Sequence, residues 1–238
     1  MKAMILAAGR GERMRPLTDV TPKPLLQAGG KPLIVWHLER LAAAGITEIV
    51  INHAWLGDKI EAALGDGSPW GVRIAYSAES PGGLETAGGI ATALPMLGDQ
   101  PFLVVNGDIW CDWNPAAALA VGQALEAQQA RAWVLLTENP PHHPEGDFCL
   151  HDGLRSQERF ARVTDKPCAN TQASTFTGIG VYHPVLFQHT AAHARAPLAP
   201  LLREAMARGE IVGSRHAGRW IDVGTPQRLQ SLDEALRG

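Results

Sequence analysis

The sequence predicts an α/β fold, a mixed and mainly parallel sheet with helices on both faces. Three observations predict it. Short apolar runs alternate along the chain with longer segments in which apolar residues recur at helical spacing. Glycine or proline closes several of the helical segments, and the loops between elements are short. Strands and helices that alternate in this way are typical of parallel strands joined by crossover helices.

The first half of the chain carries the regular alternation. In the helix predicted over residues 32–44, Leu33, Trp36 and Leu41 fall on roughly one face, and Gly45 ends it. The run Phe102-Leu-Val-Val105 is apolar throughout, as expected of a strand buried on both faces. The predicted strands are 4–7, 48–52, 72–77 and 101–105, and the predicted helices are 32–44, 56–64 and 86–94, the last of them stopped by Pro95.

The second half is less regular, and we expect it to extend the same sheet and to cover the site. No stretch has the composition of a linker, so we predict a single domain over residues 1–238. The predicted strands are 131–137, 147–151, 159–164, 175–182, 210–216 and 219–223, and the predicted helices are 116–129, 197–208 and 225–236.

Composition and charge exclude several function classes. The 238 residues are 45% hydrophobic and carry a net charge of −3, which gives no basic surface for nucleic acid or membranes. The apolar run before Gly9 is too short for a signal peptide or a membrane span. We therefore expect a cytoplasmic protein that binds neither nucleic acid nor membrane.

The cysteines and histidines form no pattern typical of a metal site. Cys111, Cys149 and Cys168 are odd in number and widely spaced, without a Cys-x-x-Cys pair. We predict reduced thiols rather than zinc ligands. The adjacent His142 and His143 are interpreted as a solvated loop rather than a metal site.

A glycine-rich, basic loop follows the first predicted strand. It reads Leu6-Ala-Ala-Gly-Arg-Gly-Glu-Arg-Met-Arg-Pro-Leu-Thr18 and continues to Lys23 in Thr21-Pro-Lys-Pro-Leu25. Glycines let backbone N–H groups approach a ligand, and arginine and lysine suit phosphate oxygens. The loop lacks the Gly-Lys-Ser/Thr ending of a Walker loop, and Met14 stands where a dinucleotide fingerprint needs glycine. The alternatives are a triphosphate cradle and a strand exit with solvated arginines.

Two aspartates follow predicted strands. Asp108 ends the sequence Asn106-Gly-Asp108, and Asp222 lies in Trp220-Ile-Asp-Val-Gly-Thr-Pro226. Ligands bind beyond the carboxyl ends of strands in open parallel sheets, and carboxylates there suit a hard cation that bridges phosphates. The alternatives are a turn at Asp108 and a helix cap at Thr225. We also expect Trp110 and Trp113, just past Asp108, to lie near the ligand.

Four further motifs could contact ligands, although each also has a structural interpretation. The segment Gly82-Gly-Leu-Glu-Thr-Ala-Gly-Gly-Ile90 could admit a nucleobase or simply begin a helix. Gly146-Asp147-Phe148 could bind sugar hydroxyls or form a turn. In Asp165-Lys166-Pro167 the lysine could neutralise a phosphate or lie exposed. Thr177-Gly-Ile179 could line a pocket or be a strand with a packing glycine.

The string Leu-Ala-Ala-Gly-x-Gly-x-Arg, followed by Pro-Lys-Pro, resembles the motif of the sugar nucleotidyltransferases. The match is dense over residues 4–32 and recurs in patches to residue 226. The resemblance implies a Rossmann-like sheet of the glycosyltransferase-A type and transfer of a nucleotidyl group from a nucleoside triphosphate to a sugar-1-phosphate. It implies Mg²⁺ as cofactor, a nucleotide-binding half over 1–110 and a sugar-phosphate half over 111–238. The short chain leaves little room for a regulatory domain, so we expect a monomer.

The resemblance also implies a role for individual residues. Asp108 and Asp222 would hold the metal, and Lys23, Arg13 and Asp108 would be catalytic. The implied nucleotide-binding residues are Leu6, Ala7, Ala8, Gly9, Gly11, Arg13, Lys23, Glu85, Gly88 and Asn106. The implied substrate-binding residues are Asn106, Asp147, Lys166, Thr177 and Gly178.

Within this family, three segments look most similar to the N-acetylmuramate-1-phosphate uridylyltransferases. They are Ile51-Asn-His-Ala-Trp-Leu-Gly57, the pair Glu85-Thr86 and the Gly-Asp-Phe motif. UTP is then the expected donor, with Arg203 as a candidate partner for the lactyl carboxylate. Ala87 and Asp165 depart from the family's usual glycine and glutamate.

Several other functions stay open. Within the family they are mannose-1-phosphate guanylyltransferase, glucose-1-phosphate uridylyl- or thymidylyltransferase, and phosphocholine cytidylyltransferase. Outside it, a non-catalytic sugar-nucleotide sensor should lack one of Lys23, Asp108 and Asp222, but all three are present. A glycosyltransferase would need an Asp-x-Asp motif, and Asp108-Ile-Trp-Cys-Asp112 does not give that spacing.

Overall fold

The computed structural model describes residues 1–151, 160–169 and 172–237. Within them, nine strands form one sheet in the order β5-β4-β1-β6-β11-β8-β12-β10-β9. Its strands are β1 Ala3–Leu6, β4 Glu48–His53, β5 Arg73–Ala78, β6 Phe102–Asn106, β8 Ala132–Thr137, β9 Cys149–His151, β10 Ala161–Thr164, β11 Thr175–Tyr182 and β12 Ile211–His216. Two small ribbons accompany it, β2 Gln27–Ala28 with β3 Lys31–Pro32, and β7 Ile109–Cys111 with β13 Trp220–Asp222.

The sheet is mixed, as predicted. β1 lies parallel between β4 and β6, and β4 is parallel to β5, which gives the regular first half. β11 runs antiparallel to both β6 and β8, and it joins the parallel part to the second half. The sheet therefore continues through both halves of the chain. The prediction for residues 159–164 begins outside the described residues, and its described part forms β10.

Helices cover both faces, because alternate residues of each central strand point to opposite sides. Ala3 and Ile5 of β1 pack in one apolar cluster, whereas Met4 packs in the other. The helices are α1 Leu33–Ala43, α2 Gly57–Leu64, α3 Glu85–Leu97, α4 Ala117–Ala127, α5 Leu198–Ala207 and α6 Pro226–Arg237. α1, α2 and α4 contribute to the first cluster, and α3 and α5 contribute to the second. In the described part of the chain, no helix is long and apolar enough to cross a bilayer.

The predicted end of α3 at Pro95 is wrong, because the helix continues to Leu97. Proline lacks an N–H and therefore removes one hydrogen bond of the last turn, while the N–H of Gly98 still donates to the carbonyl of Leu94 at 2.9 Å. Leu97 is buried in the apolar cluster. Its burial favours the additional turn over an end at proline.

The prediction of reduced thiols is wrong for two of the three cysteines, since Cys149 and Cys168 form a disulfide. Cys149 pairs with Thr164 across β9 and β10, and the turn after β10 returns Cys168 towards it. Their Cα atoms lie 5.5 Å apart, within the range that a disulfide spans. Their sequence separation does not reveal this turn. Cys111 is free and buried, and burial raises the pKa of its thiol to about 11.

Candidate active site

A cleft of about 730 Å³ opens at the carboxyl ends of β1, β4 and β6. This is where ligands bind in open parallel sheets. Many of the predicted nucleotide-binding residues line it, namely Leu6, Ala7, Ala8, Gly9, Lys23, Glu85 and Asn106, and so does the predicted metal ligand Asp108. Gly11, Arg13 and Gly88 are not among its lining residues.

Contacts within the loop after β1 fix its conformation. Gly11 has φ +70°, a conformation that favours glycine, and its carbonyl accepts from the Thr18 hydroxyl at 2.8 Å. Met14 is fully buried and anchors the loop. Arg13 is exposed, and its guanidinium has no ion-pair partner among the described residues. The loop is therefore held in place while a cation on it stays available to an anion.

Lys23 and Asp108 meet in the cleft. The Lys23 ammonium lies 2.7 Å from Asp108 Oδ2, and its side chain is only 9% exposed, whereas Asp108 is 40% exposed. Asp108 reaches this position because Gly107 packs against the end of β1, where a Cβ would lie 2.7 Å from the Leu6 carbonyl oxygen. A buried cation thus faces the cleft beside a carboxylate that solvent and ligands can reach.

Asp222 comes to the same region through the β7–β13 ribbon. It lies opposite Ile109 in the antiparallel pairing, and the N–H of Val223 donates to the Asp108 carbonyl at 3.0 Å. Two carboxylates that are distant in sequence therefore stand at adjacent strand ends. Each is paired with a cationic side chain, Asp108 with Lys23 and Asp222 with Arg228. This donor set of carboxylate oxygens fits a hard divalent cation such as Mg²⁺.

Arg228 and His142 complete the surroundings of Asp222. Arg228 Nη1 lies 2.9 Å from Asp222 Oδ2 and also contacts His142 Nε2, which is 3.6 Å from the same oxygen. Desolvation and the neighbouring Arg228 lower the pKa of His142. The imidazole is therefore neutral near pH 7, and its Nε2 can accept from the guanidinium. The sequence prediction of a merely solvated histidine loop missed this contact.

A series of hydrogen bonds through the side chains of Asn52 and Glu79 shapes the loop at residues 79–85. The amide of Asn52 accepts from the Ala7 N–H at 3.0 Å and donates to Glu79 at 2.6 Å. Glu79 in turn accepts from the N–H of Leu84 at 2.7 Å. The phosphate-side loop and the predicted base loop are thus connected through two side chains. Sequence reasoning missed both side chains, because only the fold brings them together.

Glu85 begins α3 in a strained conformation. It lines the cleft, its φ is +58°, and its carboxylate pairs with Arg195 at 2.9 Å. Non-glycine residues adopt this conformation at a cost and are concentrated at functional sites. The strain supports the prediction that Glu85 takes part in base recognition.

Residues 194–196, which we call the strap, pack against Gly88. Its N–H donates to the Ala196 carbonyl at 3.0 Å, and the N–H of Ala196 donates to the Leu84 carbonyl at 2.9 Å. A Cβ at Gly88 would overlap the Ala194 carbonyl oxygen. The structure thus gives Gly88 a packing role that indirectly holds the base loop.

Gly88→Ala is expected to destabilise the protein by about 1–3 kcal/mol, because the new Cβ meets backbone atoms that can move only with the whole strap. Urea unfolding measures the change. Gly122→Ala in α4 is the matched control, since its Cβ would meet the terminal methyl of the flexible Met1 side chain and make an ordinary contact with the Pro101 side chain. A helix-interior alanine there should be neutral or stabilising. Equal free energies of unfolding for Gly88→Ala and the parent would contradict the packing role.

The predicted sugar-side residues lie on neighbouring elements. Asp147 accepts from the N–H of Phe176 at 2.8 Å and lies 3.1 Å from His143 Nε2. Lys166 donates to the Gly146 carbonyl at 2.8 Å, which joins its loop to that of Asp147. Gly178 has φ +81°, and a Cβ there would lie 2.5 Å from the Asn106 amide nitrogen. Close approach of β11 to Asn106 therefore requires glycine.

Three predicted side chains make structural contacts and are not among the residues that line the cleft. The Thr177 hydroxyl donates to the Leu135 carbonyl at 2.8 Å, so this residue does not offer its hydroxyl to a ligand. Trp110 packs edge-on against Trp36 and lies beneath the guanidinium groups of Arg40 and Arg219. The partly buried Trp113 packs against Trp133. Contrary to the expectation from the sequence, the structure therefore does not place the two tryptophan rings in the cleft.

The family model named Nucleotidyl transferase matches residues 2–237. The chain belongs to this family. The N-acetylmuramate alpha-1-phosphate uridylyltransferase of Neisseria meningitidis serogroup B is 56% identical to it over 240 residues, covering 100% of this chain and 99% of the relative. The enzyme of the same name from Caulobacter vibrioides is 37% identical and covers 98% and 96%.

A solved structure confirms the fold of this nucleotidyl transferase. A Bacillus anthracis protein assigned as a glucose-1-phosphate thymidylyltransferase superposes with a TM-score of 0.81. The alignment covers 100% of this chain and 95% of that one at 24% identity, so the likeness concerns the fold alone. The predicted fold class is thereby confirmed, whereas the family model and the two relatives confirm the family and the enzymatic nature of the chain.

Proposed function

We propose that this nucleotidyl transferase moves a uridylyl group from UTP to N-acetylmuramic acid 1-phosphate, giving UDP-N-acetylmuramic acid and pyrophosphate. The observation that carries the proposal is the 56% identity, over the full length of both chains, to the Neisseria meningitidis uridylyltransferase. The cleft supports it, because Lys23, Asp108 and Asp222 are all present and meet at one edge of the sheet. A non-catalytic sensor would not need this set.

The reaction forms a bond between an oxygen of the sugar phosphate and the α-phosphorus, and it breaks the bond from that phosphorus to the bridging oxygen of the leaving pyrophosphate. The attacking oxygen belongs to an already ionised phosphate, so no general base is needed. The difficulty is to bring two polyanions together in line. Positioning and charge neutralisation should therefore dominate catalysis.

The chain's own cations perform that neutralisation in this proposal. Lys23 contacts the α-phosphoryl group, where its ammonium stabilises charge that develops in the transition state. Arg13 and the backbone of residues 9–11 hold the β- and γ-phosphates. Lys166 approaches the sugar phosphate, and Asp147, Asn106 and Gly178 face the sugar. Asp108 and Asp222 would hold Mg²⁺, which neutralises phosphate charge when bound.

The loop at residues 79–85 and Trp55 bound the space for the base. Trp55 and Pro81 line the cleft, and the Arg10 guanidinium lies 4.2 Å from the Trp55 ring centroid. We propose that backbone groups of this loop and Glu85 read the uracil edge.

We further propose that the enzyme acts as a monomer in the cytoplasm.

The substrate assignment is tested by pyrophosphate release in the presence of Mg²⁺. UTP, CTP, GTP, dTTP and ATP are each combined with N-acetylmuramate-, N-acetylglucosamine-, glucose- and mannose-1-phosphate and with phosphocholine. We expect the highest kcat/KM for UTP with N-acetylmuramate-1-phosphate. A higher value for another pair would overturn the substrate assignment but keep the family. Nucleotide binding without release from any pair would favour the sensor.

A further inference from the structure

Arg228 is a cation beside the catalytic carboxylates to which the sequence motifs assign no role. It lies in the first turn of α6, and its guanidinium is only 2.9 Å from Asp222 Oδ2. Both side chains are largely buried, at 20% and 23% exposure. A buried ion pair is weak evidence for stabilisation, because desolvation offsets much of the attraction. The position of Arg228 therefore calls for a functional explanation.

The guanidinium groups of Arg228 and Arg13 converge on Gly224. A Cβ at Gly224 would overlap Arg228 Nη2 and lie 3.1 Å from Arg13 Nη2. Among the described residues, Asp222 is the acidic partner of Arg228, and Arg13 has none. Two guanidinium groups thus flank one point, and a single carboxylate, that of Asp222, balances them. Such an excess of positive charge suits an anion with several charges, and the arginine fork matches phosphate oxygens.

The neighbouring histidine leaves this positive charge in place. His142 contacts Arg228 through a ring nitrogen and carries no negative charge in either protonation state. The loop after β1 supplies Arg13, so an anion between the two arginines would lie beside that loop.

We propose that Arg228 is a further phosphate-binding residue, positioned by its ion pair with Asp222. If Asp222 held a divalent cation, its pairing with Arg228 would weaken, and the guanidinium would be available to the pyrophosphoryl part of the nucleoside triphosphate, beside Arg13. The inference rests on the proposed function in one respect, the role of Asp222 as a metal ligand. It does not depend on which sugar is used.

This competition for Asp222 predicts that removing the charge of Arg228 changes the affinities for the cation and for pyrophosphate in opposite directions. In Arg228→Gln, Asp222 loses its internal competitor, so the cation alone should bind more tightly. Pyrophosphate in the presence of the cation should bind about tenfold or more weakly, the size expected for one lost charge-assisted hydrogen bond. A merely structural role would weaken both together or change neither.

Calorimetry on the full chain tests this with Mn²⁺ alone and then with inorganic pyrophosphate at saturating Mn²⁺. Gly224→Ala is a second variant, because it displaces the guanidinium without removing it and Gly224 does not have the positive φ that would exclude alanine. Arg237→Gln is the matched control, since Arg237 lies on the same helix and pairs with Asp233 at 2.9 Å. The control should bind both ligands as the parent does.

The expected result is tighter Mn²⁺ and weaker pyrophosphate for Arg228→Gln, with weaker pyrophosphate also for Gly224→Ala. Unchanged pyrophosphate affinity in both variants would overturn the proposal. Weakened binding of sugar-1-phosphate with no change in pyrophosphate binding would overturn it as well. If pyrophosphate binding changes as expected and no substrate pair turns over, the role of Arg228 stands and the proposed function fails.

Discussion

Asp108→Asn is expected to lower kcat by about 10²-fold or more, the range found when an electrostatic group is removed from an active site. Asparagine keeps the size of the side chain but loses the negative charge that would hold a divalent cation. In the parent, the Lys23 ammonium lies 2.7 Å from an Asp108 carboxylate oxygen, and the substitution removes this anionic partner. Both effects act on the charges that must be balanced when two phosphates meet.

The measurement is pyrophosphate release at saturating substrates, with far-ultraviolet circular dichroism to confirm folding. Asp112→Asn is the matched control, because Asp112 lies just past β7 and bonds His216 and the N–H of Arg219 outside the cleft. The control is expected to lose stability rather than turnover. Near-normal kcat in Asp108→Asn would contradict the assignment of Asp108.

Lys23→Ala is expected to lower kcat by a similar factor, about 10²-fold or more. The ammonium is nearly buried, so it acts on phosphate charge in a region of low dielectric where such an interaction is strong. The loss should fall on kcat more than on KM, because the developing charge is greatest in the transition state. Asp108 stays solvated when Lys23 is removed, so the free energy of unfolding should change little.

Lys31→Ala provides the control for Lys23. Lys31 pairs with Glu39 on the surface, close in sequence but outside the cleft. Its kcat should equal that of the parent. Equal losses in both variants, or a normal kcat in Lys23→Ala, would contradict the role of Lys23.

The sequence predicts the sheet well where burial determines the pattern. β11 was predicted with both of its ends, and the parallel strands of the first half were placed within a residue. For β1, β4 and β6 the reason is that strands buried on both faces are nearly continuously apolar. β2, β3 and β7 were missed or merged because two or three residues show no periodicity. Pro95 was misinterpreted because packing of Leu97 outweighs the lost hydrogen bond.

The residues of the candidate site also divide into those that the sequence predicts and those that only the fold reveals. The loop after β1 and the two aspartates were predicted because their residue types and their places after strands reveal the chemistry. Glu79 and the Cys149–Cys168 disulfide were not, because each depends on a partner in another element. Arg228 was not predicted either, because only the fold brings it together with Arg13 at Gly224. The packing role of Gly88 is visible only in three dimensions, since its neighbour is the carbonyl of Ala194.

Attack of the sugar phosphate on the α-phosphorus of UTP is the core of the proposed reaction, and phosphorus NMR of the products follows it. UTP and N-acetylmuramate-1-phosphate are incubated with the enzyme and Mg²⁺. We expect the two coupled resonances of a UDP-sugar diphosphate together with pyrophosphate, in equal amounts. Uridine diphosphate with inorganic phosphate, or unchanged sugar phosphate beside consumed UTP, would contradict it.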